Sequence, residues 1–268
     1  MSPVPDAAPL KALVWDVDGT LAETERDGHR AAFNAVFESE GLPWRWDERR
    51  YGDLLQVAGG YERLLHDLAA QPQAPVAAAE RERLARHLHR LKNERYARIV
   101  ESGAIPLRPG VRELMDDCAA AGIAMGIATT TTRSNVDALL SVHLGPQWQQ
   151  RFASVLCADD APLKKPDPQI YLLALERFGC QADELLAIED SSPGLRAGLA
   201  AGIGVVLVRS VYFADIPAAG ALAAGPSLAA ADGWEPAAGA GRIDLAQLRA
   251  WRVRAGNLAP RLSPGQPP

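Results

Sequence analysis

Two carboxylates, Asp16 and Asp18, stand two residues apart after the apolar run 12–15 and directly before Gly19. Because side chains alternate along a strand, both carboxylates would leave a sheet edge on the same side. Gly19 permits the sharp turn that such an edge needs. Like charges this close repel each other unless a cation lies between them or one of them is protonated. A hard divalent ion such as Mg²⁺ meets this need, although an Asp-Gly turn with an incidental second aspartate has the same letters.

Three further polar groups follow along the chain. The threonines 129–132 offer hydroxyl and N–H groups that could hold a phosphate at a helix start, or could simply cap that helix. Lys165, preceded by Lys164, is a cation that could neutralise a phosphate, and solvated lysines are the alternative. Glu189 and Asp190 end an apolar run, where they could bind a metal ion or begin the next helix.

Five short apolar runs predict the strands that position these groups. The runs are 12–18, 124–129, 154–158, 185–190 and 204–209. After the first gap they alternate with helical patterns, which predicts an α/β fold with a Rossmann-like parallel sheet and helices on both faces. The active site of such a sheet lies outside the carboxyl ends of its strands. All four polar groups stand at or just after predicted strand ends.

The long gap after the first strand carries helical patterns and no clear strand. It predicts an inserted helical cap over the sheet edge, linked to the core through residues 21–25 and 105–109. The predicted division is a core of 1–22 and 107–235, a cap of 23–106 and an Ala/Gly/Pro-rich C-terminal tail of 236–268. We expect residues 260–268 to be disordered.

Composition narrows the class of protein. The net charge of −5 gives no sign of a nucleic-acid surface. No stretch reaches the ~18 apolar residues of a membrane-spanning helix. The three cysteines are scattered without CxxC spacing, so a reducing, cytoplasmic compartment is expected. The oligomeric state is left open.

Together the four groups resemble the haloacid dehalogenase superfamily, in its Mg²⁺-dependent phosphatase branch, over residues 10–210. The resemblance implies that Asp16 is the nucleophile and Asp18 the general acid and base. It also implies that Thr129 and Thr130 hold the phosphate and that Lys165 neutralises charge. An aspartyl-phosphate intermediate would divide one difficult step into two.

The resemblance further implies a Mg²⁺ cofactor, with Asp16, Asp18, Glu189 and Asp190 as its metal-site residues. Dehalogenase relatives form a carbon ester, need no metal and lack the second aspartate. Asp18 together with the later acidic pair therefore indicates phosphorus chemistry.

The helical insertion contains Glu23-Thr24-Glu25, Trp46-Asp47, Tyr51-Gly52 and Gly59-Gly60-Tyr61-Glu62-Arg63 in succession. This succession resembles the CbbY-type group, phosphatases of xylulose-1,5-bisphosphate. The resemblance implies that Glu23, Tyr51, Gly60 and Arg63 contact the sugar or its distal phosphate. The group pattern is Gly-Gly-Lys-Glu-Arg, and Tyr61 stands here in place of its lysine. A charge-assisted hydrogen bond is worth ~1.5–3 kcal/mol, so this loss predicts a ~10–100-fold weaker preference for a bisphosphate.

Alternatives remain at this point. A looser sugar-phosphate phosphatase fits Tyr61, and a β-phosphoglucomutase-like phosphotransferase shares the same core and cap. A non-catalytic phosphosugar sensor is the third possibility. His29 either binds substrate or is an ordinary helix residue. The expected partner in all cases is a small phosphorylated sugar, with no nucleic acid and no membrane.

Overall fold

A six-stranded parallel sheet forms the centre of the computed structural model, which describes residues 9–71 and 73–258, excluding the side chains of 256–258. The strands are β1 (Ala12–Trp15), β2 (Ala124–Ala128), β3 (Ser154–Leu156), β4 (Leu185–Glu189), β5 (Gly204–Val208) and β6 (Ala223–Gly225). Their order across the sheet is β3-β2-β1-β4-β5-β6, and every adjacent pair is parallel. The predicted fold class is confirmed. The disorder expected for residues 260–268 lies outside the described residues.

Alternation along the strands gives the sheet two apolar faces. In β1, Leu13 and Trp15 pack into one buried cluster, whereas Ala12 and Val14 pack into another. Buried β4 and β5 side chains divide in the same way. A parallel sheet covered on both faces explains why its strands are nearly continuous apolar runs.

Helices cover both faces. The first cluster receives α5 (Val111–Ala120), α6 (Arg133–Leu144) and α9 (Leu245–Leu258), and the second receives α7 (Gln169–Phe178) and α8 (Ser192–Ala200). Within the described part of the chain, no helix has the length and apolarity needed to cross a membrane.

The helical insertion after β1 has an apolar cluster of its own. It begins with a π-helical turn, Glu25–Arg30, and continues through α1 (Ala31–Ser39), α2 (Glu48–Leu54), α3 (Gly60–Leu68) and the long α4 (Ala78–Glu101). Phe33, Phe37 and Trp46 lie in this cluster, and Phe213 joins it from the loop after β5. This separate cluster accounts for the helical pattern without strands in 23–106.

The C-terminal segment packs back on the sheet. Trp251 of α9 is buried and stacks on Trp234 with ring centroids 4.9 Å apart. The guanidinium of Arg242 donates two 2.7 Å hydrogen bonds to Asp117 of α5. Part of the segment predicted as a tail is therefore ordered against the core.

Candidate active site

A buried lysine connects two of the predicted acidic groups at the carboxyl edge of the sheet. The Lys165 ammonium donates to Asp16 Oδ1 at 2.7 Å, to Glu189 Oε1 at 2.6 Å and to the Ala128 carbonyl at 2.9 Å. Asp16 directly follows β1, and its N–H donates to the Ile188 carbonyl of β4 at 3.0 Å. Adjacent parallel strands thus bring residues from distant parts of the sequence to one point.

Three carboxylates gather around this lysine. Asp16, Glu189 and Asp190 each offer an oxygen, and these oxygens lie within 4.8 Å of one another. Burial, together with repulsion from Glu189, raises the pKa of Asp16 to about 8 against the opposing effect of Lys165. Burial and the same carboxylate neighbours raise the pKa of Asp190 well above its usual range. If all three carboxylates are ionised, the one ammonium group leaves two negative charges uncompensated, which is why protons are held here in the absence of a further cation.

Unpartnered oxygens show what this cluster can accept. Glu189 Oε2 and Asp190 Oδ2 are buried without a hydrogen-bond partner. Gly19, at φ 85°, lies so close that a Cβ there would overlap the Asp190 carboxylate. Buried carboxylate oxygens that lack donors suit a hard divalent cation. The donor set therefore fits Mg²⁺.

Asp18 points away from that cluster. Its Oδ1 accepts from the Thr24 hydroxyl at 2.6 Å and lies 2.9 Å from His29 Nε2. Lys92 Nζ lies 2.8 Å from His29 Nδ1. Burial alone would raise the pKa of Asp18, but His29, Thr24 and Lys92 outweigh burial and hold that pKa well below its usual range.

The chemistry of these groups assigns the proton on His29. An ammonium group can only donate, so Lys92 donates to Nδ1 when it is charged. The ring proton is then on Nε2, where it faces the Asp18 carboxylate. His29 is thus part of a buried chain that ends on the predicted acid and base, and it is not an ordinary helix residue.

Sequence reasoning did not identify Lys92. The side chain is buried, and burial lowers its pKa to about 8. It lies on the buried face of α4, which also carries Ala85, Leu88 and Tyr96. A lysine on an apolar helix face was the signal available in the sequence.

A second buried group of side chains, formed by Arg63, Tyr51 and Glu25, belongs to the helical insertion. Arg63 donates to the Tyr51 hydroxyl at 2.8 Å and lies 3.4 Å from both carboxylate oxygens of Glu25. The Tyr51 hydroxyl donates to Glu25 at 2.5 Å. Sequence reasoning singled out Arg63 and Tyr51, but it did not single out Glu25. Tyr51 contacts the other two residues and lines neither of the cavities described below.

Glu23 lies apart from this group. One of its oxygens is 3.4 Å from the Arg108 guanidinium, and the other accepts from the Val211 N–H at 3.4 Å. It lines neither cavity, so its contact with substrate stays a prediction.

Two cavities meet above the sheet edge. The inner one, about 60 Å³, is lined by Asp16, Thr129, Lys165 and Asp190. The outer one, about 540 Å³, is lined by residues of the insertion, such as Gly60, and by residues that follow β2 and β3, such as Thr131 and Asp159. Four residues line both cavities, namely Asp18, Glu25, Arg63 and Thr130. A small pocket with carboxylates and a lysine therefore opens into a larger chamber of ligand size.

Residues 10–202 match the model of the haloacid dehalogenase-like hydrolase family. The chain therefore belongs to this family. The predicted superfamily and the prediction of a hydrolase are confirmed.

Within this family the chain is similar to CbbY proteins. It is 44% identical to the plasmid-encoded CbbY protein of Cupriavidus necator over 90% of this chain and 96% of that one. It is 43% identical to CbbY of Rhodobacter capsulatus over 76% of this chain and 87% of that protein. A crystal structure of a CbbY mutant from Rhodobacter sphaeroides in complex with xylulose-(1,5)bisphosphate superposes with a TM-score of 0.79. That match has 34% identity and covers 89% of this chain and 99% of the other. The predicted resemblance to the CbbY-type group is confirmed.

Proposed function

We propose that this protein is a Mg²⁺-dependent phosphatase of a small phosphorylated sugar, with xylulose-1,5-bisphosphate as the first candidate substrate. The observation that carries the proposal is the contact of Lys165 with both Asp16 and Glu189, in a cavity that Arg63 also lines. The CbbY complex with xylulose-(1,5)bisphosphate supports the choice of substrate. The predicted division into core (1–22 and 107–235) and cap (23–106) belongs to this proposal.

Asp16 would act as the nucleophile. Its carboxylate oxygen attacks phosphorus, and the bond from phosphorus to the sugar oxygen breaks. Asp18 gives its proton to that departing oxygen. In the second step water attacks the aspartyl-phosphate, Asp18 takes a proton from the water, and inorganic phosphate leaves Asp16. Lys165 and Thr129 would stabilise the charge that develops on the phosphoryl oxygens.

Asp18 needs a proton before it can act as an acid. Its contacts with Thr24 and His29 favour the charged carboxylate. An anionic phosphoryl group bound beside Asp18 raises its pKa, because like charges disfavour the ionised form. Substrate in the inner cavity would therefore shift the Asp18 carboxyl toward its protonated form.

Asp16, Glu189 and Asp190 would hold the metal ion, and Asp18 is the remaining metal-site residue implied by the resemblance. A bound Mg²⁺ neutralises phosphoryl charge and orients the transferring group. The three buried carboxylates gathered beside Lys165 support this assignment. The relatives reported above give no support to the phosphotransferase alternative, so hydrolysis is the activity we propose.

Phosphate release from a panel of sugar mono- and bisphosphates, with and without Mg²⁺, tests the proposal. Asp16→Asn should abolish release, because the amide is a poor nucleophile. Asp53→Asn, at an exposed carboxylate on α2, is the matched control and should keep full activity. Turnover that persists in metal-free enzyme would contradict the metal assignment. Isomerised sugar phosphate without free phosphate would contradict hydrolysis.

A further inference from the structure

On the side formed by the helical insertion, the outer cavity is lined by basic side chains that have no role in the chemistry proposed at the sheet edge. Among the described residues, the basic side chains that line this cavity, apart from His29 beside Asp18, are Arg63, Arg86, His89, Arg90, Lys92 and Lys164. A second anionic group on a substrate would need at least one of them with its charge available.

Two of these residues already have buried partners. Arg63 is buried against Glu25 and Tyr51, and Lys92 is buried against His29. His89 is also unsuitable, because burial and the nearby Lys92 lower its pKa to about 4 and leave it neutral near pH 7.

Arg86 and Arg90 form only exposed ion pairs within α4. Arg86 pairs with Glu82 at 3.5 Å and Arg90 pairs with Glu94 at 2.5 Å, each across one turn of α4. The side chains of both arginines are 59% exposed. Surface pairs of this kind contribute only about 0–1 kcal/mol, so an anion can compete for either guanidinium.

Arg86 also contacts the residue that departs from the CbbY-type pattern. Its Nη1 donates to the Tyr61 hydroxyl oxygen at 3.5 Å, and both residues line the cavity. A phenol that accepts one hydrogen bond keeps its own O–H free to donate. The pair therefore presents guanidinium N–H groups and one O–H to the same region.

We propose that Arg86 and the Tyr61 hydroxyl form a subsite for a second phosphate group, the distal phosphate of a sugar bisphosphate. This subsite rests on the proposed function. Arg86 supplies from α4 the positive charge that a lysine at position 61 supplies in the CbbY-type pattern.

The spacing along α4 is suitable for such a substrate. Lys92 reaches the Asp18 end of the cavity through His29. Arg86 lies about 9 Å away from Lys92 along the helix axis, at 1.5 Å per residue. A short carbon chain with a phosphate at each end spans a separation of this order.

Direct binding tests the subsite without turnover. The Asp16→Asn protein, loaded with Mg²⁺, is titrated calorimetrically with xylulose-1,5-bisphosphate and with each of its two monophosphates, xylulose 1-phosphate and xylulose 5-phosphate. The reference monophosphate is the one whose own affinity Arg86→Gln leaves unchanged, because the other one carries the distal phosphate. We expect Arg86→Gln to lower the affinity ratio of bisphosphate to monophosphate by about tenfold, since it removes one charge-assisted contact. Tyr61→Phe should lower the same ratio by about threefold.

Arg83→Gln is the matched control. Arg83 lies on the same helix and pairs with Glu80 at 3.6 Å, but it does not line the cavity. Its affinity ratio should stay within twofold of the parent protein. Adding Tyr61→Lys to Arg86→Gln should restore the ratio, because the ammonium returns the lost charge.

The outcomes separate the two proposals. If Arg86→Gln binds the bisphosphate as selectively as Arg83→Gln does, the subsite is wrong and the proposed phosphatase is unaffected. If the parent protein binds neither phosphosugar, the proposed function fails and the subsite fails with it. If the double variant Tyr61→Lys/Arg86→Gln is as unselective as Arg86→Gln, residues 61 and 86 do not bind the same phosphate group, and the subsite is wrong.

Discussion

Two buried charge networks flank the inner cavity. One contains Lys165 with Asp16 and Glu189, and the other contains Asp18 with His29 and Lys92. Removing one partner from a buried network leaves an uncompensated charge, which is more costly than losing an exposed pair. Single substitutions should therefore have large effects here.

His29→Ala tests the second network. We expect the free energy of unfolding to fall by about 2–4 kcal/mol, because Asp18 and Lys92 both lose a buried partner. The stacking of the imidazole on Tyr96, at 4.1 Å between ring centroids, is lost as well. Urea unfolding at pH 7 measures the change.

His87→Ala is the control for this substitution. His87 also lies 2.8 Å from a carboxylate, Glu40, but this pair is exposed. Its loss should cost less than about 1 kcal/mol. Equal effects of the two substitutions would contradict a special role for the buried network.

Because the pKa of Asp18 is lowered, the stability it contributes is complete above about pH 4 and is lost only at lower pH.

At the scale of elements, Arg108 joins the segment between α4 and α5 to the loops that carry the site. Its guanidinium donates to the carbonyls of Gly19, Val208, Arg209 and Pro226. These carbonyls lie at or near the ends of β1, β5 and β6. One side chain thus holds the loop after β1 against the C-terminal strands.

Arg108→Lys should retain the charge and lose most of this contact, since an ammonium cannot reach four carbonyls at once. We expect the thermal midpoint to fall by about 5 °C, equivalent to about 2 kcal/mol. Differential scanning calorimetry measures the change. Arg112→Lys, at an exposed arginine that donates to the His143 carbonyl, should shift the midpoint by less than about 1 °C. A tolerated Arg108→Lys would show that the carbonyl contacts are dispensable.

At the scale of the whole molecule, the metal ion should determine how stability varies with pH. The pKa of Asp16 is raised to about 8 and that of Asp190 is raised as well. A raised carboxyl pKa means that the folded protein holds the proton more tightly than the unfolded chain. Stability of the metal-free protein should therefore fall as the pH rises from about 4 to about 8.

Thermal unfolding in EDTA and in excess Mg²⁺ checks this expectation. At pH 8, Mg²⁺ at about 100 times its dissociation constant should add about 2.7 kcal/mol, or roughly 5–10 °C. Asp190→Asn should reduce both the pH dependence and the response to Mg²⁺. Identical melting curves with and without Mg²⁺ at pH 8 would contradict the metal site.

Local patterns in the chain were sufficient to predict the sheet and the sheet-edge groups. Five of the six strands begin where predicted, and each ends one to three residues earlier than predicted. The polar residues at those ends, such as Asp16 and Asp190, lie in the loops that follow. The predicted ranges are longer because they include residues such as these, which follow the last ladder pair of each strand. Strand β6, with the sequence Ala-Ala-Gly, has no such pattern and depends on pairing with β5.

The partners of the functional side chains depend on tertiary structure. Asp18 is only two residues from Asp16 in the sequence, yet its carboxylate contacts His29, which in turn contacts Lys92. Glu25, not Glu23, lies beside Arg63. Strand alternation and motif spacing act over a few residues, so the sequence alone determined the sheet, its edge and the class of chemistry. Burial, charge pairing and the contact of α4 with the cavity depend on residues that are far apart in the chain, so only the tertiary structure determined them.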